Sequence, residues 1–334
     1  MIIKIAWRNI WRNKTRTLIS TLSISGALFL IIVMRSMQLG FYDNLIKTVV
    51  ESYSGYVQIH ANGYWETQSL DNSMEVDDKL INTITSIPGV ENVVQRVQTF
   101  SLVSKDEKSK GAIINGIDIN QEQLITDWNK RIVKGSLSLS HNDEILVAEG
   151  LARYFNAELG DTLILFGQGY QGMMAAGKYP VKGVIDLKNP DLNKLGIFMT
   201  IESARNYVSS EEISTHIIID KEQYYDEEKI VKDLSQILSK DYEIMTWKQT
   251  LPEIEQTITA DSAGGLIMAF ILYIIVLFGM FGTVLMMTEE RKYEFGVLIY
   301  IGMSRIRLFG IILIETIILS MMGVLLAIIL TYPI

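Results

Sequence analysis

Two glycine-rich stretches have the spacing of phosphate-cradling loops. Gly167-Gln-Gly169-Tyr-Gln-Gly172 fits GxGxxG, and Gly172-Met-Met-Ala-Ala-Gly177-Lys178 fits most of a P-loop. Such loops work by pointing backbone N–H groups at phosphate, with the N-terminus of a following helix behind them. Here Tyr179 stands where Mg²⁺ requires a Ser or Thr hydroxyl, and Tyr-Pro-Val-Lys-Gly-Val-Ile185 reads as a strand. Nucleotide binding is therefore not expected; a flexible hairpin tip, with Tyr170 touching cargo, is. Three scattered histidines (His60, His141, His216) give no metal-ligand spacing, and no HExxH or GxSxG occurs. Asp77-Asp78, Glu211-Glu212 and Glu227-Glu228 read as solvated faces. The absence of cysteine removes disulfides, thiolate nucleophiles, zinc fingers and iron–sulfur sites. No catalytic residues, metal or cofactor are expected.

Charge set against apolar sequence is the remaining chemistry. Gly264–Met287 carries no charge, and Phe309–Leu330 carries only Glu315. Each run is long enough to cross about 30 Å of hydrocarbon as a helix. Between them lies Glu289–Leu308, short, charged and read as amphipathic. Its Arg291, Lys292, Arg305 and Arg307 place it in the cytoplasm by the positive-inside bias. A stiff helix here, with turns at Gly296 and Gly302, would pass on a push from a soluble motor. Glu315 lies about 10 Å into its span. An ionisable group at that depth is costly: it reads either as paired with a basic group at the cytoplasmic end, coupling the segment's motion to the span, or as capping the bundle within snorkelling reach.

The elements that must position this segment follow from composition. The chain has 334 residues, 49% hydrophobic yet 20% charged, which suits a few spans plus one large soluble region. Residues 42–262 hold 34 acidic and 20 basic side chains; the remainder holds 4 acidic and 10 basic. Positive charge therefore gathers beside the spans, and nothing resembles a nucleic-acid footprint. Residues 1–16 read as an interfacial helix with Ile3, Trp7, Ile10 and Trp11 on one face. It serves either as a topogenic flank or in motor docking. Leu18–Met34 begins the first span, with Arg35 snorkelling at the far end and a helical extension through Gly40–Val50. No cleavage site follows, so it reads as an uncleaved anchor. The expected layout is an interfacial helix (1–16), a first span (17–41), an extracytoplasmic region (42–262), a second span (263–288), a coupling segment (289–308) and a third span (309–330).

Within the soluble region the order strand–helix–strand occurs twice. Gly55–His60, Val76–Ile87 and Val90–Val103 form the first set. Thr215–Asp220, Asp226–Ser239 and Tyr242–Thr246 form the second, with Ile230, Leu234, Ile237 and Leu238 as the helix's apolar face. Such units suit a split α+β fold. Between them, residues 112–200 are Gly-rich and strand-dominated: Ala112–Ile117, Glu144–Val147, Thr162–Phe166, Val181–Ile185 and Gly196–Thr200, with a short helix over Ala148–Phe155. The fold class expected is a membrane protein with helical spans and a large extracytoplasmic α+β domain, carrying a β-rich inserted subdomain.

Residues 290–305 resemble the cytoplasmic loop of the MacB/FtsX-like permeases of ABC transporters, whose pattern is near E-R-x-x-E-[FI]-G-x-L-x-A-[IL]-G-x-[ST]-[RK]. The matching positions are Glu290, Arg291, Glu294, Phe295, Gly296, Leu298, Ile301, Gly302, Ser304 and Arg305; Tyr300 departs from the usual small residue. Ala6-Trp-Arg-Asn-Ile10 with Lys14-Thr-Arg16 is similar to the family's N-terminal helix. Gly116-Ile-Asp118, Lys134-Gly135, Glu149-Gly-Leu-Ala152, Leu159-Gly-Asp161 and Val181-Lys-Gly-Val184 resemble the lipoprotein-releasing (Lol) permeases. The resemblance implies a non-catalytic subunit of the bacterial inner membrane. It implies a cytoplasmic ABC ATPase dimer, a second permease subunit and lipoprotein or peptide cargo as partners. Phe41, Tyr42 and Leu45 would meet acyl chains near the membrane. MacB-like efflux, FtsX-like control of a cell-wall hydrolase and a membrane-anchored ligand sensor are the alternatives. The family has four spans, so ending at Ile334 leaves the fourth expected to be absent.

Overall fold

The computed structural model describes residues 2–12, 14–139, 143–210 and 212–332. His141, Glu211 and Ile334, singled out above, lie outside the described residues, as do the side chains of Ile3 and Arg16. The chain divides into two units, residues 44–255 and residues 1–43 with 256–334.

Among the described residues, twelve strands build the first unit: β1 Val57–Ala61, β2 Met74–Glu75, β3 Val90–Lys105, β4 Lys108–Ile117, β5 Ile132–Gly135, β6 Ile145–Ala148, β7 Thr162–Gln168, β8 Met174–Ile185, β9 Gly196–Thr200, β10 Ile213–Ser214, β11 His216–Lys221 and β12 Tyr242–Thr246. The sheet runs β12-β1-β11-β3-β4-β9-β6-β8-β5, with β7 bridging β3 and β8. Its first four strands are the expected split α+β unit. β11 is antiparallel to both β1 and β3, and β1 is antiparallel to both β11 and β12. Helices Asp78–Thr85 and Glu227–Ile237 bury Leu80, Ile84, Ile230 and Leu234 against it, along with Val57, Ile59, Ile217 and Ile219. Ile237, expected on that face, is exposed because the helix ends there and the chain turns away.

The β-rich insert is not a separate sheet. β3 runs for 16 residues and serves both parts. Pairing β3-β4-β9-β6-β8-β7 and back to β3 closes six strands on themselves. Closure removes exposed strand edges. The interior holds Val103, Ile114, Ile145, Val147, Leu163, Leu165 and Ile197. Both phosphate-like glycine stretches fall on the β7–β8 hairpin, and the second runs directly into strand β8 rather than into a helix. Its tip is pinned rather than free: Tyr170 N–H donates to Val208 O at 2.8 Å, and Gln171 N–H to Asp71 Oδ1 at 2.8 Å.

In the other unit, among the described residues, three helices are long and apolar enough to cross a membrane: Lys14–Ile46, Pro252–Glu290 and Arg305–Thr331. At 1.5 Å per residue even the shortest reaches about 40 Å, against a hydrocarbon layer of about 30 Å. Lys47–Ser54 continues the first as a π-helical stretch and stops at Gly55. Gly55 has φ +68°, and a Cβ there would lie 2.3 Å from Ile218 Cγ2, so only glycine ends this helix here. The third long helix buries Ile311, Glu315, Leu319, Gly323 and Ala327, one residue every fourth position. At Gly323 a Cβ would meet Ile24 Cγ2 at 2.7 Å, so the first and third long helices touch through that missing side chain. The N-terminal helix Ile2–Arg12 packs on the third long helix. Its buried pair is Ala6 and Ile10; Trp7 and Trp11, expected on that face, are exposed. The small Ala6 permits close approach, and amphipathic indoles favour the membrane interface.

Candidate coupling site

The second long helix breaks at Arg291, whose φ −104°, ψ 11° leaves helical geometry, and Lys292–Tyr300 forms a separate connecting helix. That helix ends at Ile301, and Gly302 follows at φ +100° with its N–H donating to Ile299 O at 3.0 Å. Ser304 caps the third long helix through its carbonyl, which accepts from Arg307 and Leu308 N–H. A turn therefore sits at Gly302 but not at Gly296, which lies inside the connecting helix. The first break falls at Arg291, whose guanidinium enters a buried pair. Nor is this helix amphipathic as expected: among its apolar residues only Phe295 is buried, while Tyr293, Val297, Ile299, Tyr300 and Ile301 are exposed.

Arg291 is the centre of the charge network. Its Nη1 donates to Glu315 Oε2 at 3.1 Å and its Nε to Glu294 Oε2 at 3.2 Å. Its guanidinium lies 5.0 Å from the Phe295 ring centroid. Glu315 is 0% exposed and Arg291 only 7%. Glu294 also accepts both Arg12 Nη2 bonds, at 2.8 and 3.0 Å. The hydrogen bond from Arg12, then that from Arg291, holds the Glu294 carboxyl below its ordinary range. One connected set of charges thus links the N-terminal helix, the connecting helix and the third long helix. Thr17 adds a stitch, its hydroxyl donating to Ile10 O at 2.7 Å.

The remaining sequence-nominated residues are placed differently. Glu290 and Arg305 are exposed at helix ends, and Arg305 is not brought to Glu294 by any hydrogen bond or ion pair among the described residues. Phe41 is exposed and Leu45 half-buried. Tyr42, nominated as an acyl contact, is held within the membrane unit. Its ring is buried, its hydroxyl donates to Asp261 Oδ2 at 2.7 Å, and Ser262 donates back to it at 3.2 Å. Gln38 Nε2 donates to the same aspartate, so Tyr42 clamps the first long helix to the second. Tyr170, nominated at the hairpin tip, is half-buried against the closed-strand core. Sequence reasoning missed Arg12, Asp261 and Gln38 as a group. Their signal was polarity at the margins of apolar runs, which headgroup anchoring explains equally well.

The profile described as MacB-like periplasmic core domain matches residues 17–237, and that described as FtsX-like permease C-terminal matches residues 266–334. No curated protein matches the chain. Among solved structures, it is similar to the periplasmic region of MacB from Actinobacillus actinomycetemcomitans, with 15% identity, 60% of this chain and 93% of that one covered, and a TM-score of 0.41. The extracellular domain of the noncanonic ABC-type transporter YknZ from Gram-positive bacteria gives 15% identity, 57% and 100% coverage, and 0.38. A domain of a putative permease protein from Porphyromonas gingivalis gives 16%, 57% and 85%, and 0.35. At these scores the overlays add nothing to the two profile matches, which between them reach from the first long helix to the end of the third. The chain belongs to the MacB/FtsX-like permease family.

Proposed function

We propose that this permease carries ATP-driven motion of a cytoplasmic ABC ATPase dimer to its extracytoplasmic domain, working with a second permease subunit. The observation that carries the reading is the connecting helix. It offers exposed Tyr293, Tyr300 and Ile301 while Arg291 ties its start to the buried Glu315. An apolar surface with a rigid root can both receive a partner and pass on its movement. Lysines and arginines beside the spans support a cytoplasmic N-terminus and connecting helix. The chain itself hydrolyses nothing in this scheme.

Lipoprotein release is the cargo reading, supported by the insert's resemblance to lipoprotein-releasing permeases and by the exposed Phe41. Efflux of the MacB type is the second reading. It gains from Tyr42 and Tyr170, two nominated cargo contacts that are engaged inside the protein. The test is co-purification with candidate ABC ATPases. Tyr300→Asp with Ile301→Asp should abolish association while melting is unchanged. Retained association and ATPase stimulation would refute the docking role. Photocrosslinkers at Phe41 that capture only soluble peptides would favour efflux.

A further inference from the structure

Ser20 lies on the first long helix, only 7% exposed, and its hydroxyl has no hydrogen-bond partner among the described residues. Serines in helices usually donate to the carbonyl four residues back, as Ser23 does to Ile19 O. Ser20 does not, and it lines a cavity of about 290 Å³ to which all three long helices contribute. Ile24, Gly279, Thr283, Met287 and Leu319 line it too. The hydroxyl of Thr283 is already used, donating to Gly279 O at 2.9 Å. The space is nearly twice the roughly 150 Å³ that takes a benzene. It is half-open, and the surface it opens to belongs to helices built to lie in hydrocarbon.

Depth identifies the occupant. From Lys14 to Ser20 the helix rises about 9 Å, the step from headgroup level to the edge of the hydrocarbon. Lipid ester carbonyls lie at that level, and they accept hydrogen bonds. Beyond Ser20 the cavity continues along the second long helix from Met287 to Ile275, an apolar slot the length of several turns. On the headgroup side stand the exposed Lys4, Arg8 and Lys14 of the N-terminal region.

We propose that this cavity is a binding site for one acyl chain of an anionic phospholipid from the leaflet on the N-terminal helix's side. The chain fills the slot, an ester carbonyl accepts from Ser20 Oγ–H, and the phosphate faces Lys4, Arg8 and Lys14. The lipid would sit one helical turn from the Arg291–Glu315 pair, since Met287 precedes Arg291 and Leu319 follows Glu315 by four residues. It is a resident of the membrane unit and does not depend on the identity of the cargo or the ATPase.

The full chain is reconstituted in vesicles carrying trace phosphatidylglycerol or phosphatidylcholine with a photoactivatable acyl chain, and adducts are mapped by mass spectrometry. Phosphatidylglycerol should label residues 275–287 at least about fivefold more than phosphatidylcholine, the effect of one basic residue near an anionic surface. Gly279→Leu should remove that labelling, because a side chain there meets no atom within 4 Å and grows into the slot. Gly282→Leu, equally unhindered but off the lining, should keep it. Lys4→Glu with Arg8→Glu should erase the preference for the anionic probe while leaving the cavity intact. Equal labelling of wild type and Gly279→Leu, equal labelling by the two lipids, or crosslinking of that segment to a second copy of the chain would each overturn the proposal.

Discussion

Arg291 and Glu315 show why a buried charge pair is held so firmly. Neither partner tolerates loss of the other, because an unpaired charge would be left in an apolar surround. Arg291→Ala is expected to destabilise the membrane unit by about 3–5 kcal/mol, and Arg291→Met with Glu315→Leu to recover most of it. Melting of the detergent-solubilised protein checks both. In the soluble unit, His60 and His216 are buried with ring centroids 4.6 Å apart. Burial lowers the His60 pKa to about 4 and that of His216 well below its ordinary value. The unfolded chain, titrating near 6.5, then binds more protons than the folded one as pH falls. Stability should be level above pH 7 and drop below 6.5, by about 2 kcal/mol at pH 5 from His60 alone. A melting profile flat from pH 7.5 to 5 would contradict this. A basic partner for Glu315 was one of the two readings its apolar neighbours allowed; that the partner is Arg291 rather than Lys292, Arg305 or Arg307 was not legible, because the choice depends on where the second long helix breaks.

Element by element, hydrophobic period carried most of the information. The apolar runs and the two strand–helix–strand sets stand out because burial on one face leaves a repeat in the chain. What the repeat cannot hold is long-range pairing. β3 spans both parts of the soluble unit because it bonds β11 at one end and β4 with β7 along the other, and nothing local marks a strand with two allegiances. The partner of Tyr42 was hidden for a similar reason: nothing near an aromatic at a membrane margin announces that Asp261, 219 residues away, will be brought beside it. Small residues at helix contacts are similarly silent. Gly323→Leu should cost about 1–3 kcal/mol, since its Cβ would overlap Ile24, whereas Gly282→Leu, with open space, should cost little. Gly302→Val should loosen the connecting helix's end, because φ +100° is closed to a β-branched side chain, and should weaken ATPase binding with the melting temperature little changed.

The whole molecule is a folded soluble unit and a set of membrane-crossing helices joined by two continuous stretches of chain, with a connecting helix rooted on a buried ion pair. Motion can pass through such an arrangement only if the connecting helix and the soluble unit lie on opposite sides of the membrane. The chain lacks cysteine, so single cysteines report cleanly. Tyr300→Cys on the connecting helix and Tyr224→Cys on the soluble unit replace residues that are 93% and 92% exposed. A membrane-impermeant maleimide added to intact cells should modify the cysteine at 224 and reach the one at 300 only after permeabilisation. Modification of both in intact cells would contradict the account.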